Sequence, residues 1–387
     1  MLKYLWTVIQ DLFLAVTYVT LMHAMLSRAA GSTGRRIHGA GLGVGTAASV
    51  TLAAVKYNTN YIISSRWNHY IYAVYLPLTL LFLALTLVCG RRERARLRAG
   101  GVLLCVTGAL VSAVLIFYTL PGVLLYPFNF NTMGNGFFSS YYMERLAGWL
   151  MALLLLLVYS RTLYRCALHI RPYGSVPAAV NTGLLSFAVY CFGRYFVPWV
   201  NGAKWLKWPV KYREVSDRFG WANDWMMFSA TNAMLFIWIA AGLAALLALL
   251  FFCQRTRVTE PYTNPAQHRK LRAVNRHFRR TAGLALVCAG LCVLAMTWVK
   301  AEDTKPVTLS APETYTVADG KILVSIETVN DGHLHRFEYR TDKNIDVRWI
   351  VVKKPGSASF GVGLDACEVC GNAGYYERSG QVICKRC

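Results

Sequence analysis

From Asn232 to Phe252 the chain reads NAMLFIWIAAGLAALLALLFF, without one charged residue. A second run, LAGWLMALLLLLVYS, begins at Leu146. A bilayer core of about 30 Å needs about 20 such residues in a helix, and no soluble core needs runs of that length. With no water to bond them, the backbone N–H and C=O groups of such runs must pair within the run, so the runs are helices. Hydrophobic residues are 55% of the 387-residue chain, which places it in the membrane class.

Eight apolar spans fit this rule: residues 4–27, 38–56, 68–89, 100–121, 146–165, 176–196, 226–252 and 281–300. The expected fold is an all-α polytopic bundle of about eight transmembrane helices over residues 1–300. Span one also reads as a cleavable leader, since Lys3 gives it a basic flank. Against that, its apolar stretch is long and no A-x-A site follows.

The net charge is +22. On a soluble protein that would suggest nucleic acid, but no RNP, zinc-finger or helix-turn-helix pattern occurs, and no nucleic-acid partner is expected. The charge instead collects between alternate spans. Arg28, Arg35 and Arg36 follow span one, RRERARLR follows span three, Arg161, Arg165 and Arg171 flank the next such turn, and 254–280 is the most basic stretch. Lys and Arg mark cytoplasmic loops, so these turns are expected inside, with the N-terminus and everything after residue 300 outside. Trp199, Trp205, Trp208, Trp221 and Trp225 cluster in and beside the sixth loop, as expected of a segment lying along the headgroup zone.

After Lys300 the pattern changes to alternation. ILVSIET, HRFEYR and DVRWIVVKK read as strands, with turns at Asp331-Gly332 and Asp342-Lys343-Asn344. A small extracytoplasmic β segment is expected over 301–356, followed by a cysteine module over 357–387.

That module reads CEVCGNAGYYERSGQVICKRC. Cys367, Cys370, Cys384 and Cys387 form two C-x-x-C pairs, and four thiolates can hold one metal ion tetrahedrally. Gly371 permits a tight knuckle after the first pair. YYERSGQVIC reads as a hairpin turning at Ser379-Gly380, which would carry the second pair back to the first. Structural zinc, an iron or iron–sulfur centre and two disulfides all suit these cysteines, and the sulfur ligands alone do not separate zinc from iron. The other cysteines, Cys89, Cys105, Cys166, Cys191, Cys253, Cys288 and Cys292, lie in or beside spans and read as packing residues.

HLHRFEY, FGVGLDACEVCG and GYYERSGQVICKRC, within residues 333–387, resemble the bacterial Fe–S-containing multi-span membrane proteins. Genes of that family commonly accompany high-affinity iron-uptake systems. The resemblance implies a metal role for Cys367, Cys370, Cys384 and Cys387, with iron or an iron–sulfur centre as cofactor. It implies a protein of the bacterial cytoplasmic membrane with its C-terminal domain periplasmic, and relatives that continue past the position of Cys387. It also implies a part in iron acquisition, by ferric-reductase-like electron delivery or by iron handling. An iron permease, a periplasmic iron-binding protein and an ABC-type complex are the implied partners. The alternative is a transporter subunit or docking platform whose module is structural zinc.

Three further features bear on function. His333 and His335 are two apart, so on a strand they share a face, and they are candidate extra metal ligands. Asp11 lies inside span one, where a carboxylate is costly unless paired or hydrated, which makes it the transport candidate. His23, further along that span, lies about 120° around the helix from Asp11, so the two do not share a face. Gly39/Gly43 and Gly41/Gly45 are two small-xxx-small pairs suited to close helix packing. No G-K-[ST], G-x-S-x-G, H-E-x-x-H or C-x-x-C-H occurs. That excludes a phosphate loop, those hydrolase sites and covalent c-type haem, while non-covalent haem would need histidines facing each other.

The charge pattern makes a direct prediction. Reporter fusions after residues 98 and 300 are expected to report opposite sides of the membrane, and the same side from both would overturn the map.

Overall fold

A computed structural model of the chain describes residues 2–59, 64–89, 99–130, 138–171, 173–202, 220–254, 264–305, 308–341, 344–354, 356–368, 371–378 and 381–385. The first helix, α1, is Leu2–Asn58, 57 residues long. Straight, it would measure about 85 Å at 1.5 Å per residue, far beyond one bilayer core. It is broken at Gly31, whose φ of 61° and ψ of −132° lie where only glycine is at ease. The Nδ1 atoms of His23 and His38 are 3.0 Å apart. In a straight helix those residues would be separated by about 22 Å. α1 is therefore two arms folded back on each other at Gly31, and it carries both of the spans expected at 4–27 and 38–56.

The helices that follow are α2 (Ser64–Cys89), α3 (Ala99–Leu125), α4 (Ser140–His169), α5 (Ser175–Gly202), α6 (Gly220–Thr231), α7 (Ala233–Cys253) and α8 (Pro265–Leu294). Among the described residues, seven helices are long and apolar enough to cross a membrane, and α1 counts once among them. The eight expected spans thus become seven helices because one turn between spans is a break within a helix. Two other boundaries differ. The expected span 226–252 is split at Asn232, so α7 alone is the membrane-length piece. The basic stretch 254–280 is helical from Pro265, where proline occupies the first turn and the Asn264 side chain caps the Ala266 N–H at 2.9 Å. The Arg-rich stretch 91–98, most of the sixth loop, and Trp205 and Trp208 lie outside the described residues.

The first arm of α1 is the centre of the bundle. Val8, Ile9, Phe13, Tyr18, Leu21, Met22, Ala24 and Leu26 are fully or nearly fully buried, with α3, α4, α5 and α7 around α1. The segment that also reads as a cleavable leader packs as a core helix. The second arm lies against α3, and the reason is visible at two glycines. A Cβ on Gly41 would stand 2.7 Å from the Ala109 carbonyl oxygen, and one on Gly45 would stand 2.8 Å from that of Ala113. Gly39 and Gly43 meet nothing within 4 Å. Of the two glycine pairs, Gly41/Gly45 is the one that permits close approach.

Residues Thr304–Cys387 form a second compact unit. It holds a β1–β2 ribbon (Thr316–Ala318, Lys321–Leu323), an antiparallel sheet β3–β4–β5 (Leu334–Arg340, Asp346–Lys353, Phe360–Leu364) and a β6–β7 hairpin (Tyr375–Arg378, Gln381–Cys384). The expected strand ILVSIET stops at Leu323, and Ile326–Val329 is a single helical turn behind Ser325. The turn at Asp331-Gly332 is present, with Gly332 at φ +84°. Of the turn at 342–344 only Asn344 is described, at φ +57°. β5 pairs with β4 from Trp349↔Leu364 to Lys353↔Phe360, so one sheet crosses the boundary expected at 356/357.

The glycine geometry can be tested by melting the detergent-solubilised protein. Gly45→Leu is expected to destabilise it by about 1–3 kcal/mol through overpacking against α3, whereas Gly43→Leu should melt like the parent. Equal behaviour of the two variants would remove the close-approach argument.

Candidate metal centre

The apolar core of the C-terminal unit is small: Val329, Phe337 and Val351, with Tyr315, Val324, Trp349 and Phe360 packed on it. So little burial leaves a unit of this size marginal without other ties. The tie is a buried ion pair. Arg336 on β3 donates from Nε to Asp365 Oδ2 at 2.8 Å, and both side chains are essentially inaccessible. Burying a charge is costly unless its other hydrogen-bonding positions are also filled, and here they are. Arg336 Nη1 donates to the Ser310 carbonyl and hydroxyl, both at 2.8 Å, and Nη2 donates to the Tyr375 carbonyl. Asp365 Oδ1 accepts the Tyr375 N–H at 2.7 Å.

The pair thus grips Tyr375, the first residue of β6, by both its N–H and its C=O. Gly374, just before it, sits at φ +83° under the Asp365 carboxylate, where a Cβ would press on Leu309. Arg348 on β4 adds a bond from Nη2 to the Asn372 carbonyl at 2.8 Å.

Two of the four candidate cysteines are attached to this clamp. Cys367 follows Asp365 by two residues. Its N–H and C=O bond to the C=O and N–H of Gly371, each at 2.8 Å, closing the knuckle, and Gly371 takes φ +65° to do so. Cys384 lies on β7 opposite Tyr375. The Lys385 N–H donates to the Gly374 carbonyl at 2.9 Å. The hairpin expected at YYERSGQVIC is present, with Tyr375–Arg378 paired to Gln381–Cys384, and the turn expected at Ser379-Gly380 lies outside the described residues. Its base brings Cys384 to the residues that follow the knuckle.

Cys370 and Cys387 lie outside the described residues. Among the described residues no three His, Cys, Asp or Glu side chains converge on one point as a metal site would need. The donor chemistry nonetheless fits an iron–sulfur or other thiolate centre: two half-exposed cysteines are held by backbone geometry at a knuckle and at a hairpin base.

The two histidines are placed differently from the expectation of a shared strand face. His333 precedes β3 and is exposed, whereas His335 lies on the strand and is buried. His333 Nδ1 meets Glu377 Oε1 at 3.1 Å, and Glu377 Oε2 also accepts the Leu334 N–H at 3.0 Å. His335 places Nε2 2.8 Å from Asp331 Oδ1 and Nδ1 3.0 Å from Glu313. Carboxylates only accept, so a ring facing one on each side donates from both nitrogens and is an imidazolium. In that charged state the ring offers no lone pair to a metal.

Burial pulls the His335 pKa down, but the Asp331 and Glu313 hydrogen bonds outweigh it and hold the value above the ordinary one. The His335 bond holds Asp331 below the ordinary carboxylate range, and the Leu334 N–H does the same for Glu377.

Asp11, in the other unit, accepts a 2.5 Å hydrogen bond from the Tyr126 hydroxyl at the end of α3. Nearby on the same arm, Gln10 accepts from Lys300 Nζ at 2.9 Å and the Trp6 indole donates to Asp303 at 3.0 Å.

Residues 329–387 match the family model described as membrane iron-sulfur containing protein FtrD-like. This is the family the sequence resembles, and the match covers the C-terminal segment only. No curated protein and no solved structure matches the chain. The FtrD-like segment contains Arg336 and Asp365 as well as all four cysteines. Sequence reading passed over that ion pair. Its one signal was a charged residue, Arg336, inside the alternating strand HRFEYR.

The carboxylate–histidine contacts set a pH window. A raised histidine pKa contributes stability below about 6.5, lost as pH rises through the folded value; lowered carboxylate pKa values contribute above about 4, lost as pH falls. The FtrD-like segment should therefore resist proteolysis best between about pH 4.5 and 6.5. Cleavage rates within 304–341 of the full chain, measured across pH, are expected to rise on the alkaline side in the parent and to lose that rise in His335→Gln. An unchanged alkaline limb in the variant would assign it to another group.

Proposed function

We propose that this chain is a bacterial cytoplasmic-membrane protein whose four-cysteine module holds an iron–sulfur or iron centre and serves iron acquisition. The observation that carries the reading is the FtrD-like match over 329–387, on a segment where the fold fixes Cys367 and Cys384 through one buried ion pair. When bound, such a centre supplies one-electron transfer. Cys367, Cys370, Cys384 and Cys387 are its ligands in this reading. Arg336 and Asp365 hold the knuckle and the hairpin base in register, and Arg348 fixes the loop between them. His335 serves as a charged strut rather than a ligand, because both its ring nitrogens are taken.

In the same reading the C-terminal unit faces the periplasm, supported by the Lys/Arg bias of alternate loops. There it delivers electrons in a ferric-reductase-like manner or handles iron for a permease, a periplasmic iron-binding protein or an ABC-type complex. Asp11 and its Tyr126 partner are the candidate transport group of the bundle, since an intramembrane carboxylate is a functional candidate by default.

The test is elemental analysis with visible and EPR spectra of anaerobically purified protein. Iron in fixed ratio to protein, lost in Cys370→Ser, is the expected result. Stoichiometric zinc without iron would overturn the redox reading in favour of a structural module, and two intact disulfides by mass spectrometry would overturn both.

A further inference from the structure

The folded tip of α1 holds a second group of side chains that the iron reading does not use. His23 Nδ1 and His38 Nδ1 are 3.0 Å apart, His38 Nε2 is 2.8 Å from Ser112 Oγ on α3, and Ser112 Oγ donates to Met22 Sδ at 3.6 Å. His38 and Ser112 are fully buried. The 3.0 Å between the two Nδ1 atoms leaves no room for a metal ion bridging them, since two bonds of about 2.0 Å on opposite sides need about 4 Å.

One arrangement of hydrogens satisfies the network with both rings neutral: Ser112 turns its one proton to Met22 and accepts from His38 Nε2–H. Neutral His38 then has its lone pair on Nδ1, and His23 must donate to it from Nδ1–H. Neutral His23 is left with a lone pair on Nε2, the single basic nitrogen of the pair.

We propose that His23 and His38 form a proton-binding site of the bundle, which takes up one proton and shares it across the Nδ1···Nδ1 contact. The proton enters at His23 Nε2. The Nδ1 proton can then pass to His38 Nδ1, leaving His23 neutral with Nε2–H and His38 as the imidazolium. One proton and one positive charge are added, and no other bond changes. A second proton is refused, because two imidazolium rings 3.0 Å apart in a poorly solvated site repel strongly.

Burial and the Arg35 guanidinium, on α1 itself, both oppose a positive charge on His23. Tyr164 of α4 lies against the His23 ring with centroids 5.2 Å apart, and its hydroxyl donates to Ser27 at 3.4 Å. Ser112 is the polar group from α3. Arg28 is directed away from the pair, to the Ala167 carbonyl at 3.0 Å and the Tyr173 ring. From His23 the polar contacts between α1 and α4 continue down the same arm, Thr20 to Ser160 at 2.7 Å and Thr17 to Tyr159 at 3.0 Å. Hydroxyls at successive turns would by themselves be packing glue. A histidine pair is different, because an imidazole nitrogen can take up a proton where a hydroxyl cannot.

The experiment is an imidazole ¹⁵N NMR titration of the full chain in lipid nanodiscs from about pH 4 to 9, the range in which histidines change charge. His23 and His38 signals are assigned by His23→Gln and His38→Gln, with exposed His277 on α8 as the control. Expected is one joint step worth one proton, seen at both rings, with His38→Gln converting His23 to an independent titration. Two independent steps in the parent, or no protonation of either ring over the range, would overturn the proposal. If the glutamine variants do not fold, the parent's scalar coupling across Nδ1–H···Nδ1 decides instead: its presence supports the shared proton and its absence refutes it. Iron content is read on the same preparations, so failure of the metal reading and failure of this one are separate results.

Discussion

Thr17, Thr20 and Ser27 on α1's first arm are buried, and each must find a partner inside the protein or leave a desolvated group unpaired. That requirement organises the bundle. Thr17, Thr20, His23 and Ser27 look toward partners on α4 or on the second arm, and Tyr18 meets Ser186 on α5. Between helices in lipid there is no hydrophobic drive to associate, so such bonds and close glycine contacts must supply specificity. Gly41 and Gly45 against α3 are the close contacts, and Gly31 is the fold that makes both arms available to one core.

The C-terminal unit meets the same requirement on a smaller scale. Its few buried apolar residues could not hold the knuckle and hairpin alone. Arg336 and Asp365 do so by filling nearly every hydrogen-bonding position they have, four of them on the backbone or side chains of Ser310 and Tyr375. A buried pair of this kind adds little net energy over an apolar replacement, but losing one partner strands the other. Its use is geometric: one pair fixes the residues beside Cys367 and opposite Cys384, which is what a centre with several thiolate ligands needs.

Much of this was legible in the chain. Span positions followed from hydropathy, and four helices, α2 to α5, begin and end near the expected residues, because a bilayer demands length and apolarity that local sequence alone can supply. The hairpin at Tyr375–Cys384 was also legible, since alternation and a two-residue Ser-Gly turn are local signals. Errors fell where a distant partner decides the outcome. Ile326–Val329 alternates like a strand yet pairs with no strand among the described residues and closes a helical turn instead. Asn232 interrupts what hydropathy reads as one span.

The sequence by itself determined that the chain lies in a membrane, that its charge sorts by loop, and that its last four cysteines come as two C-x-x-C pairs with a hairpin pattern between them. Each of these follows from residues within a few positions of one another. Only the tertiary structure decided that span one is the core helix, that His23 and His38 touch, that His335 is held between carboxylates, and that Arg336 reaches Asp365. Those facts depend on contacts between residues far apart in the chain, or brought together by a turn at Gly31, and no local pattern encodes which polar group will meet which.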